Sequence, residues 1–171
     1  MVDGRWHIHE PEVAIPFARL FAQGDKRTNH RAIQKFYLLK VDDQMGLFGQ
    51  RAIVNSGTSC YGLSGERLRQ RGTAAHNTVV VDGQNSSEVW SGFRVARRAY
   101  PRNLRISEPQ AGTYEISCEH DGYRRLPGCV LHRRHWQLNA NRLKVTDHLE
   151  GRYQTADARI HLSPISSAAL K

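Results

Sequence analysis

Cysteine is scarce in this chain, and the residues present follow no metal-binding or redox spacing. Cys60, Cys118 and Cys129 are an odd number and form no Cys-x-x-Cys pair, which excludes a zinc ribbon and a thioredoxin-like redox pair. A disulfide between Cys118 and Cys129 could close a hairpin. Small semi-buried thiols are the more common state, and we predict reduced cysteines.

Long apolar stretches are also lacking. No segment approaches the ~20 apolar residues that span a bilayer. The first residues contain no apolar region of the kind found in a secretory signal peptide. We therefore expect no membrane partner, and the compartment stays open between periplasm and cytoplasm.

Acidic residues are few relative to basic ones. The chain has 16 Asp and Glu against 25 Lys and Arg, a formal net charge of +9. Such an excess favours anionic partners, namely nucleic acid, acidic lipid or acidic polysaccharide, and charge alone does not choose among them. The aromatic residues do not interleave with the arginines as base-stacking platforms do, so we expect no nucleic acid.

The pattern of the chain changes near residue 50. Residues 10–40 show a helical spacing that Pro16 interrupts, so we expect helical or irregular structure there. Beyond them, short apolar or alternating runs recur between turn residues, which is typical of an antiparallel sandwich rather than of βαβ units. The predicted strands are 52–54, 78–81, 93–97, 104–106, 113–118, 130–138, 143–149 and 156–162.

The prediction is therefore a mainly β fold, an antiparallel β-sandwich with a short helical or irregular N-terminal segment. We assign residues 1–44 to that segment and residues 45–171 to the sandwich domain. Because the chain stops soon after a strand, we expect the sandwich to be truncated at its C-terminus.

Two neighbouring turns could deliver a polar site onto one sheet face. His76 precedes the apolar strand 78–81, where its imidazole could reach a metal or a substrate, with Asn77 orienting the ring. Tyr61 lies in a glycine-rich turn, where its phenol could serve as a general acid or a sugar-stacking surface. Each has a structural alternative: His76 could satisfy a turn carbonyl, and Tyr61 could cap the edge of the core.

Other side chains are candidates for binding an anionic sugar. Arg67, Arg69 and Arg71 alternate along the chain, so on an extended segment they would share one face and could clamp carboxylates or sulfates. The alternative is a solvated face. Trp90 lies in a turn region as a possible sugar platform, with core packing as its alternative. The pair His7 and His9 is a weak candidate for metal ligation on a strand.

Three segments closely resemble the heparinase II/III family of polysaccharide lyases. Residues 55–62 read NSGTSCYG, residues 71–84 read RGTAAHNTVVVDGQ, and residues 87–97 read SEVWSGFRVAR. The resemblance covers about residues 45–165. It implies the family's β-sandwich domain, which normally follows an (α/α) toroid. In that family the toroid supplies residues for β-elimination of a uronic-acid polysaccharide, and the sandwich adds a histidine and a divalent metal, usually zinc.

His76 and Tyr61 are the candidate catalytic residues, and the resemblance matches Tyr61 by position to the tyrosine of the family's glycine turn. It also makes His76 a metal-ligand histidine, and Asn55 stands where many members have an aspartate ligand. Members further carry a His-x-His-x-Asp motif upstream, where residues 35–43 of this chain contain no histidine. Since zinc usually needs three or four N, O or S ligands, these departures argue against a tight zinc site. The candidate substrate-binding residues are Arg69, Arg71, Asn77 and Trp90.

An elimination needs a base, an acid and a group that neutralises the uronate carboxylate, all converging on one sugar. Residues 1–44 are too few to build a toroid wall. We therefore expect the β-sandwich part of a polysaccharide lyase, incomplete or inactive alone, whose partners are acidic polysaccharide and a separate (α/α) toroid chain. The alternative is a non-catalytic acidic-carbohydrate-binding or assembly module.

Overall fold

The computed structural model describes residues 6–9, 45–47, 50–55, 58–139 and 142–164. The helical or irregular structure expected over residues 10–40 lies outside these ranges. Within them, no helix has the length and apolar character needed to cross a membrane.

The larger sheet contains five antiparallel strands. In chain order they are β1 (Trp6–His9), β5 (Pro101–Gln110), β6 (Thr113–His120), β7 (Leu131–Asn139) and β8 (Arg142–Glu150). Their spatial order is β1-β8-β7-β6-β5, so each of the last four strands lies beside its neighbour in sequence. The strand from the N-terminal segment, β1, pairs with β8 at one edge.

Alternation explains why these segments form strands with one face covered. In β7 the side chains of His132, Arg134, Trp136 and Leu138 are buried, and the residues between them are more exposed. A period of two places such residues on one face of a strand. The inward face of β7 therefore combines two apolar residues with two basic ones.

Two short antiparallel pairs form the second layer. The first pairs β2 (Met45–Leu47) with β3 (Gln50–Ile53), and the second pairs β4 (Val79–Val81) with β9 (Ala156–Ala158). The chain after β9 returns to β3, where Ile53 and Leu162 form a bridge and Val54 N–H donates to His161 O at 2.8 Å.

The core lies between the layers in two clusters. One cluster joins Ile53 of the second layer to buried side chains of the large sheet: Ile116, Cys118, Trp136, Leu138 and Leu143. The other cluster joins Val79 and Val81 of β4 to Tyr123 and Val130, which lie in the connection between β6 and β7. The predicted fold class, a mainly β antiparallel sandwich, is confirmed.

Two segments differ from the pattern considered in the sequence. Arg67, Arg69 and Arg71 would share one face only on an extended segment, but they belong to a helix, α1 (Gly65–Arg71), which begins where the Ser64 hydroxyl accepts a hydrogen bond from Arg67 N–H at 3.1 Å. That side-chain cap and the helix-favouring residues after it outweigh the alternation of arginines. Residues 93–97 were expected to form a strand, but they form a turn held by an isolated Val89–Val95 bridge.

The three cysteines are free thiols, so no Cys118–Cys129 disulfide closes the hairpin. Cys118 is buried in the first core cluster, and Cys129 is exposed. Burial raises the pKa of the Cys118 thiol to about 11, which keeps it in the neutral form at physiological pH.

Candidate functional site

The candidate site is built around the turn that leads into β4. A short 3-10 helix (Thr73–Ala75) ends at His76, whose backbone N–H donates to Thr73 O at 3.1 Å. The side chain of His76 is only 3% exposed. Its Nδ1 lies 2.8 Å from Oδ1 of Asn55, which follows β3.

This contact sets the hydrogen-bond role of one ring nitrogen. An amide oxygen can only accept a hydrogen bond, so Nδ1 of His76 carries a proton and donates it to Asn55. The structure thus brings together Asn55 and His76, the two positions that the resemblance marks as metal ligands.

Asn77 has a different role from the one expected of it. Its Nδ2 donates to Val54 O at 3.0 Å, and its Oδ1 accepts from His161 N–H at 2.6 Å. The side chain therefore ties the end of β3 to the segment after β9. The amide that contacts the His76 ring is that of Asn55 and not that of the adjacent Asn77.

Tyr61 stands in surroundings unlike those of His76. Its side chain is 81% exposed, and the Arg67 guanidinium lies 5.6 Å from the centre of its ring. Phe93 flanks the same guanidinium at 5.9 Å. The described contacts of Tyr61 thus lie with α1 and the 90–94 turn, and those of His76 lie with Asn55.

The predicted arginines divide between two environments. Arg69 forms a two-point ion pair with Glu66, at 2.8 Å and 2.7 Å, on the exposed side of α1. Arg71 is half-buried and donates from Nη1 to Ser91 O. Trp90 is 56% exposed, and the Arg94 guanidinium lies 5.1 Å from its ring centre.

The side chains described do not by themselves fit a zinc ion. Among them no group of three His, Cys, Asp or Glu residues converges as metal ligands would. The contact between His76 and Asn55 offers one imidazole and one neutral amide, which is a poor donor set for zinc. Residues 35–43, where family members have further ligands, lie outside the described ranges.

A protein-family model described as Heparinase II/III-like, C-terminal, matches residues 45–171, which is most of the chain. The matched region contains Asn55, Tyr61 and His76 and strands β2 to β9. The chain belongs to the heparinase II/III-like family. The suspected family and its C-terminal domain are thus confirmed. Searches of curated proteins and of solved structures returned no match.

The sequence did not reveal a row of buried hydrogen bonds in this heparinase II/III-like domain, which joins His120, His132 and Asp147. Gly122 N–H donates to His120 Nδ1 at 3.2 Å, so this ring carries its proton on Nε2 and donates to His132 Nδ1 at 3.0 Å. His132 then donates from Nε2 to Asp147 Oδ1 at 2.6 Å. Burial lowers the pKa of both histidines, which favours these neutral tautomers.

Arg134 connects these hydrogen-bonded side chains to the candidate site. Its Nε and Nη2 donate to the two oxygens of Asp147 at 2.6 Å and 2.8 Å, and its Nη1 donates to the main-chain oxygen of Asn77. Burial alone would raise the pKa of Asp147, but Arg134 and His132 outweigh it and hold that pKa well below its ordinary value. The turn that carries His76 is therefore anchored to the large sheet by a buried charged network.

Strand register is the signal that could have revealed the network. His120 lies directly opposite His132, and Arg134 lies directly opposite Asp147. The alternation of β7 places His132 and Arg134 on the same face as its core residues. The basic character of these two residues does not by itself indicate burial.

Proposed function

We propose that this chain is the β-sandwich part of a polysaccharide lyase that cleaves uronic-acid-containing acidic polysaccharide by β-elimination, and that it is inactive without an (α/α) toroid. The observation that carries this proposal is the family match over residues 45–171. The pairing of Asn55 with His76 at the entry to β4 supports it, because both residues stand at positions where the family has functional groups.

The reaction defines what each residue would have to do. A base removes the C5 proton of a uronate, the electron pair forms the C4–C5 double bond, and the C4–O bond breaks as an acid protonates the leaving oxygen. Positive groups must neutralise the carboxylate as charge develops next to it.

Exposure divides the two candidate catalytic residues. The exposed phenol of Tyr61 is suited to transferring a proton to or from a sugar. The imidazole of His76 is buried and held by Asn55, which suits it to shaping the wall beneath the substrate. In this proposal Tyr61 acts on the sugar and His76 keeps its supporting turn in place. Substrate contacts come from Arg71 and Trp90. The described partners of Arg69 and Asn77, the other two candidates, lie within the protein, so this proposal gives those two residues no part in holding the sugar.

A chimera tests this function. We would fuse the chain to the toroid of an active family member and follow the ultraviolet absorbance of unsaturated uronate on pectate, alginate and heparan sulfate. The chain alone should form no product, and the chimera should form it from at least one substrate.

Tyr61→Phe should lower kcat of the chimera at least about 100-fold, as expected for loss of a proton-transfer group. Tyr153→Phe, a control on another exposed tyrosine, should not. Product from the chain alone, or equal activity of the two variants, would contradict the proposal.

We propose that Asn55 and His76 alone do not hold a zinc ion tightly. If residues 35–43 supply no further ligand, the pair of Asn55 and His76 is too small a donor set to hold the ion tightly. Elemental analysis of the purified chain should then find well under one zinc per molecule. Stoichiometric zinc that resists dialysis against a chelator would overturn this expectation.

A second candidate function is a non-catalytic module for acidic carbohydrate. The observation that favours it is the group of exposed rings beside arginines, formed by Tyr61, Trp90 and Phe93. Retention on a polyuronate resin, lost as salt is added, would support it. Equal retention on a neutral glycan resin, or tight binding of single-stranded nucleic acid in a gel shift, would contradict it.

A further inference from the structure

We infer that Arg67 and Arg71 form a binding site for the anionic group of a sugar, a sulfate or a carboxylate, with the rings of Tyr61 and Phe93 beside it. The inference rests on the proposed function for its choice of a sugar ligand. The arginine pair itself is defined by contacts within the structure.

The two guanidinium groups reach the same turn. Arg67 and Arg71 are four residues apart on α1, so they lie on one face of the helix. Arg67 Nε donates to Gly92 O at 3.4 Å, and Arg71 Nη1 donates to the preceding carbonyl, that of Ser91. Because these carbonyl groups are consecutive, the two cations are held side by side.

Aromatic rings fix the position of the first cation. The Arg67 guanidinium lies 5.6 Å from the centre of the Tyr61 ring and 5.9 Å from that of Phe93, and its Nη1 donates to Thr58 Oγ1 at 2.9 Å. Both rings are largely exposed, Phe93 at 64%. A guanidinium fixed in this way is pre-organised to bind a planar or tetrahedral anion with two donors.

Among the residues that the structure describes, no carboxylate pairs with Arg67 or Arg71. The acidic residues of α1 and of the 88–98 segment are Glu66 and Glu88, and these pair with Arg69 at 2.7 Å and with Arg97 at 3.6 Å. Burial lowers the pKa of Arg71, and repulsion from Arg67 and from Arg98 lowers it further. A bound anion would relieve this repulsion between cations.

The site revises the set of arginines selected from the sequence. Arg71 is retained, but Arg67 replaces Arg69, whose fork is occupied by Glu66. Arg69 is therefore a matched control: it lies on the same helix and has the same charge, but it points to a different partner.

Calorimetric titration of the whole 171-residue chain tests the inference. The probes are an oligogalacturonate, a sulfated maltotetraose and plain maltotetraose, which separate carboxylate, sulfate and neutral sugar. At least one anionic probe should bind, and plain maltotetraose should bind at least about tenfold more weakly. Arg67→Gln and Arg71→Gln should each weaken the anionic probe about tenfold, the loss expected for one charge-assisted contact. Arg69→Gln should change it less than about twofold.

Several outcomes would overturn the inference. They are equal losses in all three variants, binding of plain maltotetraose as tight as that of the anionic sugars, no binding of either anionic probe, and an equally arginine-dependent binding of a single-stranded oligonucleotide. If a glutamine variant fails to fold, the wild-type chain still decides. The Nε–H resonances of Arg67 and Arg71 should shift on titration more than that of Arg69, and equal shifts would contradict the site.

Failure here is distinguishable from failure of the proposed function. The titration requires no turnover. If the chimera is inactive but binding still depends on Arg67 and Arg71, only the lyase proposal is contradicted. If the chimera is active but binding does not depend on these arginines, only this inference is contradicted.

Discussion

Tyr123 is completely buried between the layers, and its hydroxyl donates a hydrogen bond to Val79 O at 2.7 Å. Burial raises the pKa of this phenol to about 12, so it stays a neutral donor. We expect Tyr123→Phe to lower the free energy of unfolding by about 1–2 kcal/mol, because a buried carbonyl loses its donor. Urea unfolding followed by tryptophan fluorescence measures this change. Tyr100→Phe, at an exposed tyrosine, should cost less than about 0.5 kcal/mol, and equal losses would contradict the role assigned to Tyr123.

Individual site residues were only partly predictable from the sequence. Asn55 and His76 are 21 positions apart, and no local rule places them in contact. Their pairing was anticipated only because the family resemblance marks both positions. Arg134 illustrates the opposite case, since its type suggests solvent whereas its register opposite Asp147 places it inside. Burial of a cation follows from its partner, and a partner on another strand is not visible in a single segment.

The contact between two turns determines where the exposed aromatic residues lie. A Cβ added at Gly92 would lie 2.1 Å from Gly62 O, so only glycine allows the 90–94 turn to pack on the turn after Tyr61. We expect Gly92→Ala to lower the free energy of unfolding by about 1–3 kcal/mol, as over-packing does, and to weaken binding of the anionic sugar probe.

Gly65→Ala is the matched control for this turn. A Cβ at Gly65 meets nothing within 4 Å, and alanine favours the helix that begins there. Thermal melts of the two variants make the comparison. A Gly65→Ala chain as unstable as Gly92→Ala would contradict the role assigned to the close approach of the two turns.

The buried side chains of His120, His132 and Asp147 make the free energy of unfolding depend on pH. Burial lowers the pKa of His120 and His132 in the folded state below the ordinary 6.5, so below about pH 6.5 the unfolded chain binds more protons. Stability should therefore fall as pH drops through this range. Asp147 adds a further loss below its ordinary 3.8, because its pKa is also lowered on folding.

His132→Gln tests this dependence. Between pH 6.5 and 4.5 the free energy of unfolding of this variant should change less than that of the wild-type chain. The difference should reach up to about 1.4 kcal/mol per pH unit, because one fewer group takes up a proton on unfolding. Urea unfolding at a series of pH values measures the slope. His148→Gln, at an exposed histidine of β8, should leave the slope as it is in the wild-type chain. A wild-type slope in His132→Gln would contradict the buried neutral ring.

Elements were predictable where one simple pattern dominated. The predicted strands 113–118, 130–138 and 143–149 correspond to β6, β7 and β8 within two residues at each end, because apolar alternation and turn residues agree there. Alternation was misleading in the segments 66–71 and 93–97. Residues 66–71 lie in a helix that begins at the Ser64 cap, and residues 93–97 form only an isolated bridge between Val95 and Val89.

At the level of the whole chain, positive charge is distributed between structure and surface. Arg134 is consumed by a buried network, and Arg69 and Arg133 pair with glutamates. Because each of these pairs is neutral as a whole, the net charge of +9 comes from basic residues outside them. The inferred sugar site depends on the local excess of charge around Arg67 and Arg71, so matched variants test it more directly than the isoelectric point does.

The N-terminal segment contributes to the sheet of the matched domain. β1 covers the edge of β8, with Trp6 opposite Val145 and Ile8 opposite Leu143. Removing residues 1–44 would leave the backbone groups of β8 without partners along this edge, and such an edge promotes pairing between chains. We expect the chain 45–171 to have a higher apparent mass than the full chain in concentration-dependent light scattering. A chain that lacks only residues 1–5 keeps β1 and should behave like the full chain. Identical masses for all three chains would show that β1 is not needed to protect the edge of β8.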